Sequence, residues 1–575
     1  MKTHRLIPPA LLLPLLPALL LILAHQPAHA GSATWSLDPL TGDWNTAANW
    51  TPNTVPNGPD DEATFTVSHT TDVFVSAPTE LASWTFNSDA SPYFTTVNGT
   101  ILVTLSGSGI ANNSQVEQTI FAKADPSGVS GTVWFTGSAA VIGPISFITE
   151  GSSTANFANG GVISFGDSSR ASNCKFLNQG AKLDGVFGGR LALSGTAQMI
   201  GCEVTNEPGT ASTANGGLTT FEDTSSTGNA VFTSQGASVS AALGGTTHLM
   251  GLATVLDGAV FISQGATVAG GAGGLTIFDN FTNAGSATLI ATGGANGGEG
   301  GLIRFVGFPK SVAPRVEVFG NGTLDVSDVL PRSAPTIIGS LEGDGIVVIG
   351  TNSGTETLSI GSNNLSTAFS GVIVEDPSVP GTGAIAKVGP STLTLSGAST
   401  YGAGTTVRGG ALLVTNTTGS ATGTGTVTVR SSTLGGSGII SGPVTVGTTS
   451  GSGSFLAPAF GRNAQVTLTL ENSLTLQDDA VYTYTFKANK NKARTDLVIA
   501  SGVTINGASF AFQGSAQGAL KQGLVLTVIS NTAATPIAGT FSNLPDGAIL
   551  TANGNNFQAS YEGGDGNDLT LTVVP

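Results

Sequence analysis

Charge is what this chain most lacks. Its 575 residues carry 20 basic and 36 acidic side chains, 10% of the total. The usual share is about 25%. With 40% hydrophobic residues and so little charge, composition excludes a disordered polyelectrolyte. Cysteine is nearly absent: Cys174 and Cys202 stand alone, without a nearby histidine to complete a zinc site. No hydrophobic run after residue 30 reaches the ~18 residues that mark a membrane-spanning helix. Good helix formers are outnumbered after residue 30 by Gly, Ser, Thr, Asn and Val, which argues against a helical protein. Glycine is plentiful instead, at 81 residues. It has no three-residue period, so collagen is excluded. What remains is a glycine-punctuated all-β chain.

The first 30 residues differ from the rest. Lys2 and Arg5 precede an apolar stretch from Ala10 to Ala24, and Ala28-His29-Ala30 closes it. This is the pattern of a secretory signal with cleavage after Ala30. The apolar stretch is too short for a bilayer-spanning helix of ~20 residues. Cleavage leaves 18 basic and 36 acidic residues, a net charge of −18. Such a surface disfavours nucleic acid and anionic membranes. The expected location is extracellular or at the cell surface.

Between residues 131 and 307 a unit repeats. Gly followed four positions later by Phe or Leu recurs at Gly161/Phe165, Gly189/Leu193, Gly217/Phe221, Gly245/Leu249, Gly274/Phe278 and Gly301/Phe305. A second segment recurs at Cys174-x-Phe176, Cys202-x-Val204, Ala230-x-Phe232, Ala259-x-Phe261 and Ala287-x-Leu289. A fixed period near 28 residues marks a solenoid or array. Apolar residues two apart mark strands with one buried face. Propeller blades need about 40–50 residues, so a parallel β-helix with about 28-residue coils fits best. Phe165, Leu193, Phe221, Leu249, Phe278 and Phe305 would then form an internal ladder. A third short strand is expected near Leu183, Val239 and Val268.

The two cysteines fall one repeat apart in a column that otherwise carries alanine. Packed thiols and a Cys174–Cys202 disulfide are both compatible with stacked coils, whose Cα spacing suits either. An oxidising compartment would permit the bond.

From Gly381 to Asn416 the sequence reads GTGAIAKVGPSTLTLSGASTYGAGTTVRGGALLVTN. Lys387, Gly389, Thr392, Leu393, Thr394, Leu395, Ser396, Gly397, Thr400, Tyr401, Gly404, Thr405, Gly409, Leu412 and Val414 carry a pattern. It resembles the autotransporter-associated β-strand repeat, also called the passenger-associated transport repeat. Pro390 replaces a glycine of that pattern and Ser399 an asparagine. The resemblance implies a right-handed parallel β-helix that is exported and surface-associated or released. It brings no catalytic signature and no cofactor. Residues 420–575 do not resemble a translocator barrel. The chain stops at Val573-Val574-Pro575, where similar proteins begin a sorting tail. How the chain is anchored is left open.

The expected organisation is a signal peptide at 1–30, a Trp-rich cap with first coils at 31–125 and the repeat helix at 126–310. A continuation at 311–460 holds the passenger-type repeat, and a β-rich end follows at 461–575.

Site candidates are few. Trp35, Trp44 and Trp50 suit either a cap over the first coil or contact with glycans. The tail Gly563–Leu571 resembles a calcium-binding nonapeptide with Asp565 and Asp568 as candidate ligands. A hairpin turn explains the same residues more simply. Asp167, Asp223 and Asp279 recur on alternate coils. Asp167 and Asp223 are the carboxylate pair a polysaccharide lyase or hydrolase could use. Neither a G-x-S-x-G nor an HExxH motif occurs. Lys487, Lys490, Lys492 and Arg494 cluster in a loop able to meet anionic glycans.

The expected function is therefore a secreted or surface-exposed, non-enzymatic structural or adhesive protein. Extracellular glycans or other cell-surface and matrix components are its expected partners. A carbohydrate-active β-helix enzyme and a glycan-binding surface module are the alternatives.

Overall fold

The computed structural model describes residues 31–575, apart from 126, 128, 155–157, 257, 309–312, 330–334, 352–353 and 463. The signal-like segment and its cleavage point after Ala30 lie outside the described residues. Those described form strands and turns, with one short 3-10 turn at Ala47–Asn49 and no α-helix. The architecture is the parallel β-solenoid that the 28-residue period predicts.

Stacking follows the repeat residue by residue. The first strand of each coil pairs in parallel with its equivalent one coil on: Val162 with Arg190, Arg190 with Leu218, Leu218 with Thr246, Thr246 with Leu275 and Leu275 with Leu302. The second repeated segment forms its own ribbon, in which Phe176 lies against Val204, Phe232, Phe261 and Leu289 in turn. Strands alternate buried and outward positions, as a period of two requires. The ladder from Phe165 to Phe305 is buried throughout. Its rings stack where aromatics are neighbours: Phe135 and Phe165 are 4.4 Å apart with planes at 2°, and Phe278 and Phe305 are 5.0 Å apart. Each buried Phe contributes about 2–3 kcal/mol by leaving water, and parallel register repeats that gain in every coil.

The third strand is not where the sequence places it. Leu183, Val239 and Val268 lie in turns. The short strand falls between the two long ones, at Ala140–Ile142, Arg170–Ser172 and Gln198–Ile200. It then thins to single bridges at Ser226, Thr254 and Asn283. The cause is the αL turns that bracket it: Asp167 and Asn173 have φ of 53° and Gly195 and Gly201 have 64° and 62°. They leave room for only three extended residues.

After residue 335 the coils lose their fixed length. Thr392 pairs with Ala411, Ala411 with Thr433, and Thr433 with Phe455. The apolar core is still continuous from Ala33 to Val573. After Thr540 the remaining strands pair antiparallel, with Asn555–Gly563 between Ile549–Ala552 and Asp568–Val574, and Asp568–Val574 against Val525–Asn531.

Candidate functional site

A groove runs across four coils and holds a cavity of about 470 Å³. One wall carries Val162, Arg190, Leu218 and Thr246, the first residues of successive strands. Phe187, half-exposed at 45%, and Leu243 line it from the preceding turns. One glycine per coil, Gly160, Gly188, Gly216 and Gly244, lies between these walls, and a second glycine follows each. A Cβ on Gly188 would stand 2.4 Å from the Gly216 carbonyl oxygen, and one on Gly217 would stand 2.0 Å from that of Asn178. Neither contact is sterically available, so close coil stacking demands glycine here. The result is a groove with bare backbone along its floor.

Beside the groove runs a line of polar groups. The Arg190 guanidinium donates to Glu222 at 2.9 Å and to the Thr220 hydroxyl at 3.0 Å. One coil on, His248 Nε2 lies 3.6 Å from an Asp279 oxygen. Burial pushes the imidazole below its usual pKa, and the Asp279 charge opposes that shift without overcoming it. Beneath the same sheet the Asn178 amide donates to Asn206 at 2.7 Å and to Thr219 at 3.0 Å. These buried amides satisfy one another in the interior. Sequence reasoning did not find them; two asparagines one repeat apart were the available signal.

Asp167 and Asp223 are not brought together. Each sits in an αL turn, and its carboxylate accepts a backbone N–H from the coil before: Gly137 at 2.8 Å and Gly195 at 2.9 Å. Their recurrence is explained by turn geometry that Asp, Asn and Gly tolerate. A catalytic pair needs free carboxylates facing one substrate bond, and these are tied to different coils.

Trp35, Trp44 and Trp50 are at most 1% exposed. Trp44 packs edge-on against Trp50 and Trp84 at 4.9 and 5.0 Å. Their indole N–H groups donate to the carbonyls of Thr70, Pro56 and Trp44. Their faces pack against one another and against Phe65 and Trp84, away from solvent. Asp565 lies in the turn of the final hairpin, where Gly563 pairs with Asp568. Asp568 accepts the Asn531 N–H at 2.8 Å. The hairpin reading accounts for both residues.

Cys174 and Cys202 are buried thiols with sulfurs 3.2 Å apart. Burial raises the Cys174 thiol well above its ordinary pKa, while the hydrogen bond from Cys174 lowers that of Cys202.

The coil at 383–414 has its own internal chemistry. Lys387 occupies a column whose neighbours are Ile360, Val407 and Val429. It points inward and is 1% exposed. Its ammonium donates to the carbonyls of Val388, Gly389 and Gly409 at 2.7, 3.1 and 3.1 Å. Burial pushes its pKa down to about 8. Three donors meet three acceptors, two in its own turn and one a coil away. Tyr401 is fully buried, with its hydroxyl 2.7 Å from that of Thr405. Glu375 gathers the preceding loop, accepting the N–H groups of Gly381, Gly383 and Gly402.

Comparison with known families decides what this coil is. Residues 385–414 match the family described as the passenger-associated-transport-repeat. The chain carries a passenger-associated transport repeat. Within that repeat Lys387 ties one coil to the next through the Gly409 carbonyl. Among solved structures, the Haemophilus influenzae Hap adhesin crystal structure is similar at 11% identity and a TM-score of 0.30. The match covers 91% of this chain and 65% of that one, so this chain spans less than two thirds of the adhesin's length. No curated protein matches the sequence.

Proposed function

We propose that this chain is the exported passenger-type solenoid of a cell-surface structural or adhesive protein. The passenger-associated transport repeat carries this reading, because it is built into the solenoid as one of its coils. The signal-like first 30 residues and the net negative charge support it. Fractionation of cells expressing the full chain tests it. The expected result is a product lacking residues 1–30 that is released or removed from intact cells by added protease. Intact, protease-protected protein in the cytoplasm would overturn it. The adhesive part is tested separately, by comparing attachment of cells that display the chain with cells that do not.

A second reading concerns ligand. The groove at Phe187, Arg190 and Leu243 combines apolar surface with a charged donor, the mixture that oriented ligand binding uses. An extracellular glycan is the class proposed for it. Screening the purified chain and its Arg190→Ala variant on a glycan array tests this; equal signals from both would reject the groove.

A further inference from the structure

Charge is scarce in this protein, and it is also segregated. Residues 31–122 hold nine carboxylates and no lysine or arginine: Asp38, Asp43, Asp60, Asp61, Glu62, Asp72, Glu80, Asp89 and Glu117. Residues 480–545 hold Lys487, Lys490, Lys492, Arg494 and Lys521 against one carboxylate, Asp496. Asp496 is buried and accepts the N–H groups of Val466 and Thr485. The segment therefore presents cations to solvent within a strongly acidic chain.

The fold concentrates those cations further. Strands Ala480–Asn489 and Lys492–Thr495 form an antiparallel hairpin, with Lys487 opposite Arg494 and Asn489 opposite Lys492. Alternation puts Lys487, Lys492 and Arg494 on one face, while Phe486 and Ala488 face the core. Lys490 lies at the turn, where its carbonyl accepts the Lys521 N–H at 2.8 Å. All five basic side chains are exposed. Like charges placed directly across two strands disfavour the hairpin.

The same chain also carries exposed carboxylates at its opposite end. Asp60, Glu62, Asp72 and Asp89 are exposed in the cap region. A single molecule cannot join the two. Strand Asp72–Val75 and the hairpin strand Ala480–Asn489 are separated by the successive pairings of one ribbon. At about 4.8 Å for each pairing, the separation is roughly 75 Å. That is many times the Debye length of ~8 Å at physiological salt.

We propose that the basic hairpin at 487–494, with Lys521, docks on the acidic cap region of a second copy of this chain. The contact joins unlike surfaces, so an associated pair still has one hairpin and one cap free and the association propagates. Charge complementarity within one sequence selects a second copy over an anionic polymer. A dense polyanion would also have to lie along a chain whose remaining surface is acidic. The proposal does not depend on export or on the groove.

Sedimentation of the purified chain tests it. At about 20 mM salt the average mass should rise with concentration, and at about 300 mM it should fall back to one chain, because screening shortens the reach of surface charge. Two charge-reversed variants separate the surfaces. One carries Lys487→Glu, Lys490→Glu, Lys492→Glu and Arg494→Glu; the other carries Asp60→Lys, Glu62→Lys, Asp72→Lys and Asp89→Lys. Each alone should remain a single chain at low salt. Mixed in equal amounts they should associate again, since the acidic hairpin of one meets the basic cap of the other and the unchanged hairpin of the second meets the unchanged cap of the first. A wild-type chain that stays single at low salt would overturn the proposal, as would association that survives hairpin reversal. A mixture that fails to associate, although each variant melts like the wild type, would overturn it too. So would a chain that stays single yet is held on a heparin matrix through the hairpin, which would point to an anionic polysaccharide instead.

Discussion

The coils at 162–305 and those after 335 stack in the same way but are locked differently. The earlier coils rely on repetition. Their length holds near 28 residues, glycine pairs let neighbouring backbones touch, and buried Asn178 and Asn206 satisfy each other across coils. The later coils vary in length, so no side-chain ladder can repeat at a fixed turn position. They use single, specific clamps: Lys387 on three carbonyls, Glu375 on three N–H groups and Tyr401 on Thr405. Regular coils distribute their stability over many equal contacts, whereas irregular coils concentrate it in a few.

That contrast can be broken at named residues. The largest effect is expected from Gly216→Val. A Cβ there would stand 2.3 Å from the Gly244 carbonyl oxygen. Backbone has to move in two coils, at a cost of about 3 kcal/mol or more. The denaturation midpoint should fall sharply, and the strained coils should become sensitive to protease.

Lys387→Met tests the opposite strategy. It keeps the apolar stem but leaves three buried carbonyls without their donor, for a loss of about 2–3 kcal/mol. The pH dependence sharpens the test. Lys387 has a folded pKa near 8, below the ordinary value of about 10.4 for an unfolded lysine. The unfolded chain therefore binds the extra proton between those values. The contribution of this group to stability is present above about pH 10 and is lost as pH falls through 8. Buried tyrosines act in the other direction. Tyr93 is raised to about 12 by burial, so its contribution is present below pH 10 and lost as pH rises further. Subtracting the Lys387→Met profile from that of the wild type isolates the lysine. A flat difference between pH 8 and 10 would reject the lowered pKa of Lys387, and an unchanged midpoint would reject the clamp.

Asn206→Leu should cost about 2 kcal/mol, since it removes one acceptor of the Asn178 amide and the acceptor of the Thr219 hydroxyl inside the sheet, leaving only the Asn178–Thr219 bond between them. Chemical denaturation of single and paired replacements at 178 and 206 measures the coupling. The paired change should cost less than the sum, because removing both amides leaves fewer polar atoms unsatisfied.

The smallest effect is expected at Cys202→Ala. The same column already holds buried Ala230, Ala259 and Ala287. The loss should be under about 1 kcal/mol, and the thiol of Cys174 should still react slowly with an added alkylating reagent because it is buried.

Much of this could be read from the residues. The period of apolar pairs located the long strands of every middle coil, and the passenger-type motif located the coil at 383–414. Asp167 and Asp223 show the limit. Their spacing looked like a repeated carboxylate column, but αL turn geometry explains the same recurrence and the N–H groups they accept lie one coil away. Trp35, Trp44 and Trp50 show another: aromatic residues near acids have the same sequence signature in a cap and on a sugar platform, and only burial separates the two. Lys387 was visible as part of a motif, yet nothing local told that its side chain enters an apolar column.

By itself, the sequence determined the period, the strand faces and the internal Phe/Leu ladder, because these depend on spacing along the chain. It also determined the charge imbalance between residues 31–122 and 480–545. The tertiary structure decided where the short third strand falls, which carboxylates are tied to backbone, and that five cations share one hairpin and its neighbouring loop. Those outcomes depend on which atoms of one coil meet the next, and that distance is set through space, not along the chain.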